Sequence, residues 1–191
     1  MTIRSLLALL LLSIASVNLM AQTKPPNEIA LDYTYLHTNA PPGGCGCFSM
    51  NGGSGSYAYH FGPQFAAVIE VGAVHAAKVD ASGLDLTLTS YLAGPRFYYR
   101  RPMTRFVPYG QVLLGAVRAT GGLAPANADG APSATVFGST LGGGVEFNVS
   151  RSITLRVAQI DYFVTTFENK VNNHQNNIRI SAGAAYHFGK R

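Results

Sequence analysis

Cys45 and Cys47 are the only two thiols in the chain, with Gly46 alone between them, and five histidines supply the imidazoles. The pair lies in PPGGCGCFSMNGG (residues 41–53), a stretch whose prolines and glycines mark a loop. Four chemistries fit such a pair. A zinc site needs about four ligands, so two thiolates would need help from His37, His75 or His174. A redox dithiol needs a low-pKa, accessible thiolate. A Cys-x-Cys disulfide ring closes around a glycine, under strain relative to ordinary disulfides. An intermolecular cross-link is the fourth reading. The compartment that the loop faces weighs among them.

Charge is the second source of chemistry. Only 12% of residues are Asp, Glu, Lys or Arg, about half the usual share. Where the sequence alternates, Asp32, Glu70, Glu146 and Arg179 fall on the face opposite the aliphatic residues, and Arg96 and Gln111 join them. Opposite charges held inside a narrow enclosure must pair, because an isolated buried charge is very costly. These residues are expected to form a salt-bridged plug, with the glycines of STLGGGVEF leaving room beside Glu146.

The elements that position these groups are strands. Period-2 alternation recurs from Glu28 to the end: Ile29, Leu31, Tyr33 and Tyr35 share one face, then Tyr57, Tyr59 and Phe61, then Phe65, Ala67, Ile69 and Val71. Further runs cover residues 84–100, 106–120, 134–149, 153–167 and 177–188, making eight strands and no helix after the N-terminal segment. Short connections (62–64, 101–105, 150–152) alternate with longer ones (38–53, 121–133, 168–176), and 78–83 is intermediate. Two strands carry irregularities. In ITLRVAQIDYFVTTF, Arg156 has the opposite parity to Gln159 and Asp161, which requires a bulge near Ala158 or an Arg156 that snorkels outward. A parity change is expected before GPRFYY, where Pro95 demands a bulge or an unpaired position.

The N-terminus gives the compartment. Arg4 precedes an apolar run from Leu6 to Val17, and Ala21 offers a small residue for cleavage. This is a secretory signal peptide, residues 1–21, with a run too short to span a bilayer. Residues 22–191 then form one domain. No later apolar stretch approaches the roughly 20 residues of a spanning helix. Few charges without such a run fit a membrane barrel, in which alternate residues face lipid. In hydrocarbon a strand-rich chain must close on itself to pair its backbone. The expected fold is all-β, an eight-stranded antiparallel up-and-down transmembrane β-barrel. Tyr35, Tyr98, Tyr99, Phe106, Phe147, Tyr162, Tyr186 and Phe188 are its interfacial aromatics. An even strand count places both termini in the periplasm and the long loops outside the cell. In that oxidising setting a local Cys45–Cys47 disulfide is the favoured reading.

The last strand reads SAGAAYHF, in which Ser181, Gly183, Tyr186 and Phe188 make a polar-x-Gly-x-x-aromatic-x-aromatic pattern. This resembles the C-terminal signal of outer-membrane barrels. With eight strands and alternating turns, residues 22–191 resemble an OmpA/OmpX-type barrel domain, without a peptidoglycan-binding domain. The resemblance implies outer-membrane lipid and the barrel-assembly machinery as partners.

The expected function is a monomeric outer-membrane barrel with a structural or surface-interaction role, its external loops open to a glycan or protein ligand. No cofactor, metal or catalytic residue is assigned. Three alternatives remain: a small diffusion channel, a soluble lipocalin-like carrier and a lipid A-modifying barrel enzyme. Against the carrier, the chain lacks Trp and places its charges on the wrong face. Against the enzyme, His174 has no serine two residues away, and His60 and His187 lie at the other end of the barrel. The charge of +5 is spread along the chain, with no basic patch for nucleic acid.

Overall fold

The computed structural model describes residues 25–38, 47–79, 83–101, 104–122, 124, 130, 132–167 and 174–190. The expected signal peptide and Cys45 lie outside the described residues, and so does any bond between Cys45 and Cys47. The remainder is eight strands: β1 Asn27–Thr38, β2 Phe48–His60, β3 Phe65–Val79, β4 Leu84–Tyr98, β5 Phe106–Thr120, β6 Ser133–Asn148, β7 Ile153–Thr165 and β8 Gln175–Phe188. Each pairs antiparallel with its sequence neighbour, and β8 returns to β1 to close the barrel. The closing seam runs without a register break from Asn27↔Phe188 to His37↔Ile178. Closure leaves no open sheet edge.

Alternation sorts the side chains. Leu31, Ile69 and Leu141 are 72%, 60% and 63% exposed on the outside, while the intervening residues are buried in the lumen. A one-residue slip would exchange the two sets, so the pattern pins the register.

β2 begins at Phe48, several residues earlier than its glycine- and serine-rich composition suggests. Low strand propensity is overridden there by pairing with β1, from Thr38↔Phe48 to Tyr33↔Gly53. Tyr33 Oη donates to Asn51 Oδ1 at 2.6 Å, and Tyr35 Oη lies 2.6 Å from Ser49 Oγ. The first connection is therefore confined to residues 39–47.

β7 carries the bulge anticipated near Ala158. Val145 pairs with Ala158 and Glu146 with Arg156, so Val157 is the extra residue on β7. Against β8 the register shifts between Arg156 and Gln159. The bulge turns Arg156 inward with Gln159 and Asp161, and Arg156 does not snorkel.

β4 departs from expectation. Its even-numbered residues face inward throughout, with no parity change before Pro95. Pairing with β5 lapses at Gly94 and Pro95 and resumes in the same register, Ala93↔Leu114 and Arg96↔Gln111. A missing N–H thus costs a gap in one ladder and no bulge. The same parity points Tyr98, expected among the interfacial aromatics, into the lumen, where it is fully buried.

Candidate functional site

The lumen divides into two layers. The half toward the long connections is apolar: Leu36 of β1, Met50 of β2, Val74 of β3, Leu88 of β4, Val117 of β5 and Phe163 of β7 meet in one cluster. The inner face is therefore not charged throughout, as a salt-bridged plug alone would make it. Bulky aliphatic residues occupy inward positions near the strand ends, where they fill the barrel's section.

The half toward the short turns is charged. Arg156 reaches three carboxylates, pairing with Asp32 through Nη1, with Glu28 at 3.2 Å and with Glu146 at 3.6 Å through Nη2. Arg96 donates from Nη1 to Glu28 Oε1 at 3.4 Å and from Nε to Gln111 Oε1 at 2.9 Å. Gln111 in turn donates to Asp161 Oδ1 at 3.3 Å. Arg179 binds Asp161 Oδ2 through Nε and Nη2, at 2.9 and 2.7 Å, and Glu70 through Nη1. The network is continuous across the barrel from Glu28 to Glu70. Asp32, Glu70, Arg96, Glu146 and Arg179, inferred from parity, all belong to it.

Several members were not singled out as network residues by that reading. Glu28 shares the parity of Asp32, but it is the second residue of β1, where alternation has barely begun. Arg156 and Asp161 were hidden by the bulge between them. Tyr109 is a fourth, donating to Gln159 Oε1 at 2.6 Å, while Gln159 Nε2 donates to Asp161 Oδ2 at 2.7 Å.

Where the two layers meet, Thr34, Leu36, Ser54, Ser90, Phe163 and Arg179 line a cavity of about 10 Å³, room for one water.

At the turn-end mouth, His60 Nε2 lies 2.9 Å from Glu28 Oε2, and His187 Nδ1 lies 3.8 Å from the same oxygen. These histidines, treated from sequence as separate polar residues, form one cluster. At the opposite rim, His75 Nδ1 lies 2.9 Å from Thr87 Oγ1, and His37 Nδ1 lies 3.5 Å from Ser49 Oγ. The Ser49 hydroxyl already meets Tyr35 at 2.6 Å.

Ser181, Gly183, Tyr186 and Phe188 lie on β8 at the seam. Ser181 is buried and lies 3.3 Å from Thr34 Oγ1. A Cβ on Gly183 would sit 2.5 Å from Asp32 Oδ1, so glycine here admits the Asp32 carboxylate. Tyr186 and Phe188 stack with centroids 6.3 Å apart.

A closed eight-stranded barrel with an apolar exterior and a charged, filled interior matches one kind of environment, and the sequence agrees. Residues 6–188 match the outer membrane protein beta-barrel domain. The chain belongs to that family. The barrel is also similar to Neisserial surface protein A (NspA), at 16% identity and a TM-score of 0.65 over 87% of this chain and 100% of the other. A similar likeness holds for Ail, the attachment invasion locus protein of Yersinia pestis, at 16% identity, a TM-score of 0.57 and the same coverages. Ail in complex with the heparin analogue sucrose octasulfate matches at 17% identity and a TM-score of 0.53, over 85% of this chain and 99% of that one. At these identities the likeness concerns the fold. A search of curated protein sequences found no match.

As an outer-membrane barrel, the protein turns its exposed aliphatic belt to lipid, and the soluble-carrier alternative falls away. Tyr99, Phe106, Tyr162 and Tyr186 remain outward on the belt, each about half exposed.

Gly144 tests how tightly the interior is filled. A Cβ there would lie 2.4 Å from the Ala158 carbonyl oxygen and 2.8 Å from Tyr109 Oη. Gly144→Val is expected to displace the Tyr109 ring, break its bond to Gln159 and cost about 1–3 kcal/mol. The urea midpoint of the folded barrel in lipid vesicles measures this, and an unchanged midpoint would contradict the packing.

Proposed function

We propose that this barrel is a closed, non-conducting scaffold of the outer membrane, with a surface-recognition role carried by its long connections. The observation that carries the proposal is the filled lumen: among the described residues, a charge network and an apolar cluster occupy the interior of an eight-stranded barrel, which is only wide enough for side chains to fill. On this reading the short-turn end and both termini face the periplasm, the usual arrangement of such barrels. An exported, signal-peptide-bearing precursor fits it. The C-terminal strand, with Ser181, Gly183, Tyr186 and Phe188, is the segment presented to the barrel-assembly machinery, and the folded protein is a monomer.

Recognition would then fall to the long-connection rim. His37, His75, Arg118 and His174 are exposed there, beside hydroxyls and amides such as Ser49, Asn51 and Thr87. Such a surface suits hydrogen bonding to a glycan, and the basic groups favour an anionic one. The Ail complex with a heparin analogue makes sulfated glycans the first class to test. We read the protein as non-enzymatic: His37 and Ser49 make no orienter-supported pair among the described residues.

Two measurements test this. In planar bilayers the purified barrel is expected to give no stable conductance steps, and a reproducible open level would restore the diffusion channel. Cells displaying the protein are expected to bind a sulfated-glycan surface, with retention falling as salt rises. Binding equal to that of a variant with residues 39–46 and 168–173 replaced by short glycine linkers would remove the recognition role.

A further inference from the structure

We propose that Glu28, His60 and His187 form a binding site for a divalent transition cation of the zinc class at the turn-end mouth of the lumen. The three residues come from adjacent strands, β1, β2 and β8. Glu28 and His187 are direct cross-strand partners, and the His60 amide donates to the Pro26 carbonyl. The backbone of a closed barrel therefore sets their spacing, and all three side chains are buried.

The donor atoms converge. One ring nitrogen of His60, one of His187 and a Glu28 carboxylate oxygen lie within 4.8 Å of one another. Tetrahedral zinc, with bonds of about 2.0–2.2 Å, places its ligand atoms about 3.3–3.5 Å apart. Zinc binding would require the three to settle to that spacing from 2.9 Å for His60–Glu28 and 3.8 Å for His187–Glu28. Three protein ligands leave a fourth position open, and two imidazoles with one carboxylate suit zinc, cobalt, nickel or copper better than magnesium or calcium.

The surroundings orient the donors. Thr154 Oγ1 lies 3.0 Å from His187 Nε2. When that nitrogen donates to Thr154, Nδ1 carries the lone pair on the side of Glu28. Glu28 offers Oε1 to Arg96 and Arg156, while its Oε2 faces the histidines and also accepts from Tyr98 Oη at 3.3 Å. His187 and Glu28 are thus each held by a second interaction from the wall.

Charge supports the same assignment. Among the described residues, the buried interior holds five carboxylates, Glu28, Asp32, Glu70, Glu146 and Asp161, against three guanidiniums, Arg96, Arg156 and Arg179. Counted as formal charges, the carboxylates exceed the guanidiniums by two. One divalent cation between His60, His187 and Glu28 would balance that excess. Arg96 and Arg156 would repel it, but they face the opposite carboxylate oxygen, and the whole network remains anionic without the ion.

The test uses the untagged barrel carrying C45S and C47S, so that no loop thiolate contributes, folded in detergent and titrated with Co2+. Visible ligand-field bands saturating at one equivalent, and lost on addition of Zn2+, are expected. H60Q and H187Q, each shown to be folded by its heat-dependent gel mobility, are expected to weaken binding by at least about tenfold. Absence of bands at millimolar Co2+, or bands of equal affinity in both variants, would overturn the site. Neither result bears on conductance or glycan retention, so the site and the proposed function stand or fall separately.

Discussion

Arg156→Met is expected to lower the stability of the folded barrel by about 3–5 kcal/mol, the range for removing one partner from a buried ion cluster. Arg156 is the one guanidinium that touches three carboxylates, Glu28, Asp32 and Glu146. Methionine fills much of the volume and keeps the apolar stem, so the loss reports charge rather than a cavity. Arg96 still reaches Glu28, but Asp32 and Glu146 lose the guanidinium that they contact. The same reasoning predicts partial rescue. Adding Asp32→Asn and Glu146→Gln to Arg156→Met removes the stranded charges and is expected to recover about half of the loss, since uncharged isosteres in such clusters are often tolerated. Equilibrium urea titration in lipid vesicles, read by tyrosine fluorescence or circular dichroism, measures both variants. If the single variant keeps the midpoint of the parent, the network contributes nothing and the interior charges need another explanation.

The second large effect lies on the opposite face of the wall. Leu141→Arg is expected to cost about 2–4 kcal/mol, the range for a cation on the lipid face near the bilayer centre. Leu141 is 63% exposed in the middle of β6, between Phe137 and Phe147 on the same face. Its cross-strand neighbours are Val112 on β5 and Tyr162 on β7. An arginine there must drag its charge through hydrocarbon or snorkel along the strand, and the aliphatic stem reaches only partway. Leu141→Ala is expected to lose less, because it only forfeits apolar contact with lipid. In detergent micelles, which deform around a charge, the gap between the two variants should narrow. Equal stability of the two in vesicles would place Leu141 outside the hydrocarbon and would move the belt along the barrel.

These two substitutions, one inside and one outside, differ only in the parity of the residue. Parity was the most legible feature of the chain. Asp32, Glu70, Arg96, Glu146 and Arg179 were assigned inward from alternation alone, and each is buried. Strand ends were less legible. Phe48 to Gly53 looks like loop by composition, yet pairs with β1 because the facing strand extends that far and supplies Tyr33 and Tyr35 to cover it. Tyr98 was read as interfacial because it is an aromatic near a strand end, and a parity change was expected before Pro95. The barrel absorbs that proline as a gap in the β4–β5 ladder, and the tyrosine stays inside.

Local periodicity is a property of one strand, so the sequence by itself determined the number of strands, their two faces and the alternation of short and long connections. Contact between residues far apart is a property of closure. Only when β8 meets β1 does His187 come to face Glu28, with His60 beside it. Only the bulge at Val157 brings Arg156 onto the same wall as Asp161. The division of the lumen into a charged half and an apolar half also appears only then, because it depends on the height at which each inward side chain sits. That height is set by the stagger between neighbouring strands, and no single strand carries it.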